Sequence, residues 1–223
     1  MAAQAHRDNA AEQPRLRLCK PDDKNQDGIV DRYARLIDLP ERLGDTVPVV
    51  AVCMAYRIMA EAVDGNGHRC RWYSWSPFHW LIGIRGLLRR CRPRAVSASS
   101  DCLQVILGAL VARWLRVPFF ADLYDDYESL GMASLPGMRT MFRRALRSAT
   151  GVTAVSETLG EHIASLYPGK PLLVLESTID KSLFHPRDRA LARRAFDLPD
   201  EALLVGAFGA LNPRRDIETL YRA

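Results

Sequence analysis

Residues 151–186, GVTAVSETLGEHIASLYPGKPLLVLESTIDKSLFHP, and residues 202–223, ALLVGAFGALNPRRDIETLYRA, decide the fold of this chain. The first stretch has the pattern of a strand, a helix and a second strand, and the second stretch that of a strand and the start of a helix. Ser156 is placed to cap the first helix, and Pro168-Gly169 is placed to end it. One α/β unit therefore closes near residue 175, and another begins at residue 203 and is cut off at residue 223.

The same alternation extends back to residue 15. It predicts an α/β fold, a Rossmann-like doubly wound parallel sheet with helices on both faces. The strands are expected at 16–19, 47–54, 69–74, 95–98, 117–123, 152–155 and 172–175, and the helices at 29–40, 77–90, 101–115, 135–148 and 156–167. The continuous apolar run at 49–52 predicts a central strand that is buried on both faces.

The predicted organisation has four parts. Residues 1–14 form a disordered tail, and residues 15–180 form the Rossmann-like domain. Residues 181–201 form a charged linker with one short helix. Residues 202–223 form the first β-α unit of a second domain. A lone unit of this kind cannot bury both faces of its strand, so this second domain is expected to be incomplete.

Composition excludes several classes of protein. The chain has 223 residues, a net charge of +5 and 48% hydrophobic residues, which is ordinary for a globular protein. Its five cysteines lack metal-ligand spacing, which favours reduced thiols in a cytoplasmic protein. No signal peptide is expected, and the longest apolar run, 102–112, is too short to span a bilayer. The absence of a G-x-G-x-x-G fingerprint argues against a nicotinamide or flavin enzyme, and neither a metal site nor nucleic-acid binding is predicted.

Candidate binding residues follow from the geometry of a parallel sheet, whose ligands lie at the carboxyl ends of the strands. The loop 20–28 contributes Gly28, which lets backbone approach a substrate. The region around the end of the strand 117–123 contributes Asp122, Tyr124 and Asp125, whose carboxylates can pair with hydroxyl groups and whose ring can stack on the face of a ligand. The alternatives stay open: the loop 20–28 is a solvated acidic loop, and Asp122 caps a helix while its neighbours are solvated.

A second candidate site lies at the start of the last helix, in GALNPRRD. Asn212 can cap this helix, Pro213 takes its first position, and Arg215 falls in its first turn. Backbone N–H groups and the positive end of a helix favour an anion there, and an arginine adds a bidentate phosphate contact. The alternative is an ordinary start of a surface helix.

Two basic clusters, 85–94 and 139–147, interleave arginines with apolar residues at helical spacing. They suit either a peripheral contact with an anionic membrane or the solvated face of an amphipathic helix.

The segment 151–221 resembles the family-4 glycosyltransferases, retaining enzymes of the GT-B fold, and a weaker resemblance extends back to about residue 15. The resemblance rests on three motifs: Thr153-Ala154-Val155-Ser156-Glu157 at a strand end, Ser177-Thr178-Ile179-Asp180 followed by Phe184-His185-Pro186, and Phe208-Gly209-Ala210-Leu211-Asn212-Pro213-Arg214-Arg215-Asp216. It implies an acceptor-side domain followed by the start of a donor-binding domain.

The resemblance implies transfer of a sugar from a nucleotide-diphospho-sugar to a hydroxyl of a sugar or lipid-linked acceptor, in polysaccharide or glycolipid biosynthesis. It implies no cofactor, since basic residues and a helix end neutralise the leaving diphosphate. Gly209 and Arg215 are the implied donor-phosphate residues, with Arg215 at the position of the family's lysine. The location implied is the cytoplasm, peripheral to the inner face of the membrane.

The chain departs from the family's pattern at Tyr124, where many relatives have histidine, at Ala210, often a second basic residue, and at Ser177-Thr178, usually Asn-Gly. It also ends before the donor domain's paired glutamates. The chain alone is therefore expected to be inactive. The alternative function is a non-catalytic Rossmann-like binding module, a remnant of such an enzyme.

Overall fold

Strands and helices alternate along the chain, and the predicted α/β fold class is confirmed. A computed structural model describes residues 15–19, 34–54, 60–64, 70–128, 131–177 and 185–204. The strands are β1 (Arg15–Cys19), β2 (Val49–Met54), β3 (Ala60–Asp64), β4 (Cys70–Trp75), β5 (Val96–Ser99), β6 (Phe119–Leu123), β7 (Gly151–Ala154) and β8 (Leu172–Val174). The helices are α1 (Ala34–Gly44), α2 (Pro77–Cys91), α3 (Cys102–Leu115), α4 (Met138–Ser148), α5 (Glu157–Leu166) and α6 (Arg189–Ala195), with a 3₁₀ turn at Gly131–Ser134.

The strands form one eight-stranded sheet in the order β3-β4-β2-β1-β5-β6-β7-β8. Neighbouring strands from β4 to β8 pair in parallel, as the sequence predicts. The edge strand β3 differs, because it pairs with β4 in antiparallel orientation. The five residues 65–69 that join these two strands are enough for a hairpin, whereas a parallel crossover needs a dozen residues or more.

The predicted buried strand is β2, which lies between β4 and β1 inside the sheet. Its residues Val49, Val50, Ala51 and Val52 are between 0% and 6% exposed. Val50 and Val52 face the larger hydrophobic core, whereas Val49 and Ala51 face a smaller core that includes Leu36 of α1. A strand with both faces covered needs apolar residues at consecutive positions, which explains the run without alternation.

Helices α2, α3, α4 and α5 contribute to the larger core, on one face of the sheet. Helix α3 approaches the sheet most closely at Gly108, where an added Cβ would lie 2.5 Å from Ala98 Cβ and 3.0 Å from Phe119 Cε2. Helix α1 lies on the opposite face and continues through Pro40 to Gly44, four residues past the predicted end of this helix at residue 40.

Polar side chains cap the starts of several of these helices, and the predicted cap Ser156 is among them. Ser156 Oγ accepts a hydrogen bond from Leu159 N at 3.3 Å, and Asp101 Oδ1 accepts one from Cys102 N at 2.6 Å. These bonds satisfy backbone donors that the first turn leaves without a partner. The positions of these capped N-termini therefore determine where the loops after β5 and β7 lie.

The chain divides into two compact units, residues 1–179 and residues 180–223. In the second unit Asp188 caps α6 by accepting from Leu191 N at 2.8 Å. Arg193 of α6 donates to the carbonyl oxygens of Pro199 and Ala202. Helix α6 is the short helix expected between 181 and 201; the expected strand 203–208 lies outside the described residues except for 203 and 204, which belong to neither a strand nor a helix.

Candidate functional site

A buried carboxylate joins three adjacent strands near their carboxyl ends. Asp122 of β6 is only 2% exposed. Its Oδ2 accepts a hydrogen bond from Ser99 Oγ of β5 at 2.7 Å, and its Oδ1 accepts one from Thr153 Oγ1 of β7 at 2.5 Å. Charge-assisted bonds of this kind are the strong ones in proteins. Asp122 therefore links β5, β6 and β7 beside the candidate site, and Asp122 with its partners Ser99 and Thr153 is called the bracket below.

The register of the sheet explains this bracket. Ser99 is the partner of Asp122 in the β5–β6 pair, and Thr153 is its partner in the β6–β7 pair. Directly paired residues project to the same face, so the three side chains form one row across the sheet. The residues on either side of Asp122, Ala121 and Leu123, belong to the helix-covered core. The row therefore lies on the face opposite to α2–α5.

Tyr124 follows the bracket and lies against the loop after β5. Its hydroxyl is 3.3 Å from Ser100 Oγ, within hydrogen-bond distance. Ser100 is 1% exposed and has a φ of 101°, in the left-handed region where residues other than glycine are strained. The strained turn places Ser100 between the end of β5 and the cap of α3, and so brings its hydroxyl to the tyrosine.

Tyr127 anchors the loop that carries Tyr124. Tyr127 is 4% exposed, its hydroxyl accepts a hydrogen bond from Tyr124 N at 3.3 Å, and the two rings meet edge to face at 5.5 Å. A second edge-to-face contact joins Tyr127 to Phe142 of α4 at 6.2 Å. Burial raises the pKa of the Tyr127 phenol far above its ordinary value, and the nearby Tyr124 adds to this effect. The phenol is therefore neutral at physiological pH and serves as a structural support.

Asp125 is the most accessible of the predicted carboxylates. It is exposed, and its Oδ1 accepts a hydrogen bond from Asp126 N at 2.8 Å. Asp126 Oδ1 accepts in turn from Glu128 N at 3.2 Å. These short-range bonds shape the loop. An exposed carboxylate next to a half-exposed tyrosine ring is suited to binding a polar, ring-shaped ligand.

An ion pair fastens the far end of the loop to α4. Arg143 donates from Nε to Glu128 Oε1 at 3.0 Å and from Nη2 to Glu128 Oε2 at 2.6 Å, and Arg139 Nη2 donates to the Glu128 carbonyl oxygen at 3.1 Å. The hydrogen bonds from Arg143 lower the pKa of the Glu128 carboxyl below 4.5. The fork-shaped pairing restrains the segment 124–128 at Glu128. The hydrogen bond from Tyr124 N to the Tyr127 hydroxyl restrains its other end.

The first turn of α3 adds a buried amide beside the site. Gln104 is 5% exposed, and its Nε2 lies 3.8 Å from Met54 Sδ at the end of β2. Within the described part of the chain its Oε1 has no hydrogen-bond partner. The Gln104 side chain therefore turns toward β2. Cys102, in the same turn, is unsuited to nucleophilic chemistry, since burial and the Asp101 carboxylate raise its thiol pKa to about 12.

The structure brings together part of the predicted site. Asp122, Tyr124 and Asp125 lie at the carboxyl edge of the sheet, beside the loops that start at Ser99 and Ser156. Asp122 does not cap a helix, since the residues after it form bends and turns up to 128. Gly28, Gly209 and Arg215 lie outside the described residues.

The sequence reasoning missed Ser99 and Thr153 as partners of the carboxylate. The available signal was a polar residue near the end of each of three consecutive strands, where an entirely buried parallel strand would have an apolar one. The described ranges contain no group of histidine, cysteine and carboxylate side chains placed to hold a metal ion. In the same ranges, no helix is both long enough and apolar enough to cross a membrane.

Comparisons with known proteins place this geometry in context. The family model described as "Glycosyl transferase 4-like domain" matches residues 27–176. The structure of Anabaena Alr3699/HepE in complex with UDP superposes with a TM-score of 0.54 at 14% identity, covering 82% of this chain and 50% of that chain. UDP-GlcNAc 2-epimerase from Neisseria meningitidis, bound to UDP-GlcNAc, gives a TM-score of 0.47 at 12% identity, covering 72% of this chain and 46% of that one. No curated protein sequence matches the chain. The chain spans about half the length of these solved structures.

Proposed function

Because the chain belongs to the glycosyl transferase 4-like domain family, a family of GT-B glycosyltransferases, we propose that it forms the acceptor-side part of a retaining enzyme. The reaction proposed is transfer of a sugar from a nucleotide-diphospho-sugar to a hydroxyl of a sugar or lipid-linked acceptor, in polysaccharide or glycolipid biosynthesis. The single observation that carries the proposal is the family match over 27–176, which covers the strands β2 to β8.

The acceptor is proposed to bind at the carboxyl edge of the sheet. Asp125 offers an exposed carboxylate for sugar hydroxyls, and Tyr124 offers a ring face. Asp122 is engaged by Ser99 and Thr153, so its proposed contribution is to hold the end of β6 that carries these two residues. Gly28 is proposed to complete the cleft from the loop after β1.

The donor diphosphate is proposed to bind at Gly209 and Arg215. The supporting argument is chemical: an arginine in the first turn of a helix adds a bidentate cation to the positive end of that helix. The solved structure with UDP has a similar fold, so uridine diphospho-sugars are the first donors to test. In GT-B chemistry the diphosphate is neutralised by such groups, and no metal ion is required by the proposal.

The phosphate role of Arg215 is tested in a protein that continues through a complete donor-binding domain. Loss of a charge-assisted bond worth roughly 1.5–3 kcal/mol should lower kcat/KM for the donor about ten- to hundredfold in Arg215→Ala. Arg215→Lys should recover part of the loss, and Ala210→Arg should improve donor use. Arg222→Ala, which removes an arginine from the same segment, is the matched control. Equal activity of wild type and Arg215→Ala, with both folded, would remove the proposed role.

A non-catalytic binding module is the second candidate. Tyr124, Ala210 and Ser177-Thr178 favour it, because each departs from the family's pattern at a functional position. The coding sequence downstream of codon 223 separates the two candidates. A donor domain in frame favours the enzyme, and a stop codon favours the module.

The cellular location proposed is the cytoplasm, at the inner face of the membrane. A lipid-linked acceptor would bring the chain to an anionic surface, and the basic residues of the cluster 85–94 have the complementary charge.

A further inference from the structure

Helix α2 exposes an unusual apolar surface at its N-terminal end. Phe78 is 66% exposed, Leu81 is 69% exposed and Ile82 is 65% exposed. Leu81 and Ile82 lie three and four residues after Phe78, so the three side chains share one face of the helix. Single exposed apolar side chains are normal on protein surfaces, but contiguous groups mark contact sites. The core-facing side of the same helix is separate and fully occupied by Trp80, Ile84, Leu87 and Leu88.

The same exposed face of α2 becomes basic toward the C-terminal end of the helix. Arg85 and Arg89 continue it at the same helical spacing, and both are exposed. Beyond the helix, Arg92 lies with Arg89 and Trp114 in the lining of an open cavity of about 530 Å³. A surface of three large apolar side chains, three arginines and a tryptophan, here called the α2 stripe, therefore extends along the 15-residue helix, a length of about 22 Å.

Charge on this part of the molecule is segregated by position. Helices α2, α3 and α4 contain no acidic residue. Arginines lie in their last turns and just beyond, at the amino edge of the sheet, and α2 and α4 carry further arginines along their length. The acidic residues of 70–128 and 131–177 lie near the ends of strands, in the following loops or in the first two turns of α5: Asp101, Asp122, Asp125, Asp126, Glu128, Glu157, Glu161 and Glu176. The α2 stripe therefore has no carboxylate on its own helix to repel an anionic partner.

We propose that the α2 stripe binds an anionic lipid bilayer, with α2 lying in the plane of the interface. Phe78, Leu81 and Ile82 enter the boundary between headgroups and acyl chains, while Arg85, Arg89 and Arg92 contact lipid phosphates. Interfacial helices combine an apolar face with basic residues in this way. A nucleic acid would engage the arginines but gives no reason to expose three large apolar side chains. An anionic membrane provides both an apolar layer for the three large side chains and negative charge for the arginines, so it is the occupant that fits the whole α2 stripe.

The orientation of α2 connects this surface to the acceptor site. Helix α2 begins immediately after β4, so its apolar end lies at the carboxyl edge of the sheet. Tyr124 and Asp125 lie at the same edge. A lipid-linked acceptor would therefore leave the bilayer on the side of the molecule that carries the cleft. This consequence rests on the proposed glycosyltransferase function; bilayer binding itself does not.

The test is co-sedimentation of the 223-residue chain with phosphatidylcholine vesicles that contain or lack phosphatidylglycerol. Binding should require the anionic lipid. Arg85→Glu/Arg89→Glu should weaken the partition coefficient by about thirtyfold or more, since each basic residue near the surface contributes about 1 kcal/mol. Phe78→Ser/Leu81→Ser/Ile82→Ser should abolish the binding that remains at high salt, where charge is screened.

The matched control is Arg144→Glu/Arg147→Glu, which makes the same change in net charge on exposed positions of α4. It should retain most of the binding. If either α2 variant fails to fold, Arg85→Gln/Arg89→Gln removes the charges while keeping good helix formers. Brominated lipids should quench Trp114, and Trp114→Phe should lose that component of the quenching.

Four results would overturn the proposal: no binding to anionic vesicles, equal binding to neutral vesicles, loss of binding in the α4 pair but not in the α2 variants, or sequestration by duplex DNA without vesicle binding. Vesicle binding without sugar transfer in a complete enzyme would leave this inference intact and would count against the proposed function alone.

Discussion

Substitution of alanine for each of two glycines, on the helices α2 and α3, should change the free energy of unfolding in opposite directions. At Gly108 in α3 an added Cβ would lie 2.5 Å from Ala98 Cβ and 3.0 Å from Phe119 Cε2. Ordinary carbon contacts begin near 3.5 Å, so α3 would have to move outward by about 1 Å. Neither neighbour can yield, since one Cβ is fixed to β5 and Phe119 is 3% exposed. A displacement of this size belongs in the upper part of the usual overpacking range, about 2–3 kcal/mol, which exceeds the roughly 1 kcal/mol that alanine gains over glycine within a helix.

Gly86 in α2 is the matched control. Its added Cβ would meet only Arg90 Nη1, the flexible end of a side chain, at 3.9 Å. Gly86→Ala should therefore stabilise the chain by about 0.5–1 kcal/mol, whereas Gly108→Ala should destabilise it by about 1–2 kcal/mol. At this size the pair should differ in Tm by roughly 4–10 °C.

The assay is urea unfolding followed by tryptophan fluorescence, since all four tryptophans lie in the unit formed by residues 1–179. A change in the midpoint with an unchanged slope reports stability alone. A Gly108→Ala variant at least as stable as wild type would refute the close helix–sheet contact. A loss of similar size in Gly86→Ala would show that glycine is needed for a reason other than packing.

Two further predictions concern the candidate site. Asp122→Ala should destabilise the chain by about 2–3 kcal/mol in urea unfolding, because the Ser99 and Thr153 hydroxyls lose a charged acceptor. Asp122→Asn should restore part of the lost stability. Equal stability of wild type and both variants would contradict the bracket. Glu128 has a lowered pKa in the folded chain, so its pairing stabilises the fold above pH 4.5 and this contribution disappears as the pH falls through the folded pKa. Glu128→Gln should therefore be less stable than wild type at pH 7, and the difference should shrink below pH 4.5; a constant difference across that range would count against the ion pair.

The sequence predicted the parallel core because its signals there are local. The run Val49–Val52 has no polar residue and must be buried on both faces, and Asp101 and Ser156 mark helix starts directly. The short strand β3 was missed because its five residues include Glu61 and Asp64, which do not favour a strand. Whether residues 60–64 form a strand depends on their pairing with β4, which the residues of 60–64 alone do not reveal.

The sequence predicted where the candidate residues lie in the sheet, but not which residues they contact. Polar residues at strand ends located Asp122, Tyr124 and Asp125 at the correct edge of the sheet. That Asp122 is buried between Ser99 and Thr153 depends on the register of three strands, and register follows from the whole sheet. The strained backbone of Ser100 likewise follows from the geometry of the turn into α3 and has no signature in the sequence.

Sugar transfer itself is the most direct test of the proposed function. The measurement is release of nucleotide from uridine, guanosine, adenosine and thymidine diphospho-sugars, with and without a glycan or glycolipid extract as acceptor. It compares this 223-residue chain with a protein that continues through a complete donor-binding domain. The continued protein should release nucleotide and transfer labelled sugar with retained anomeric configuration, and the 223-residue chain should do neither, because leaving-group stabilisation requires the donor half. A folded continued protein that turns over no nucleotide-sugar would contradict the proposed enzyme, and turnover by the 223-residue chain alone would contradict its assignment as the acceptor-side part.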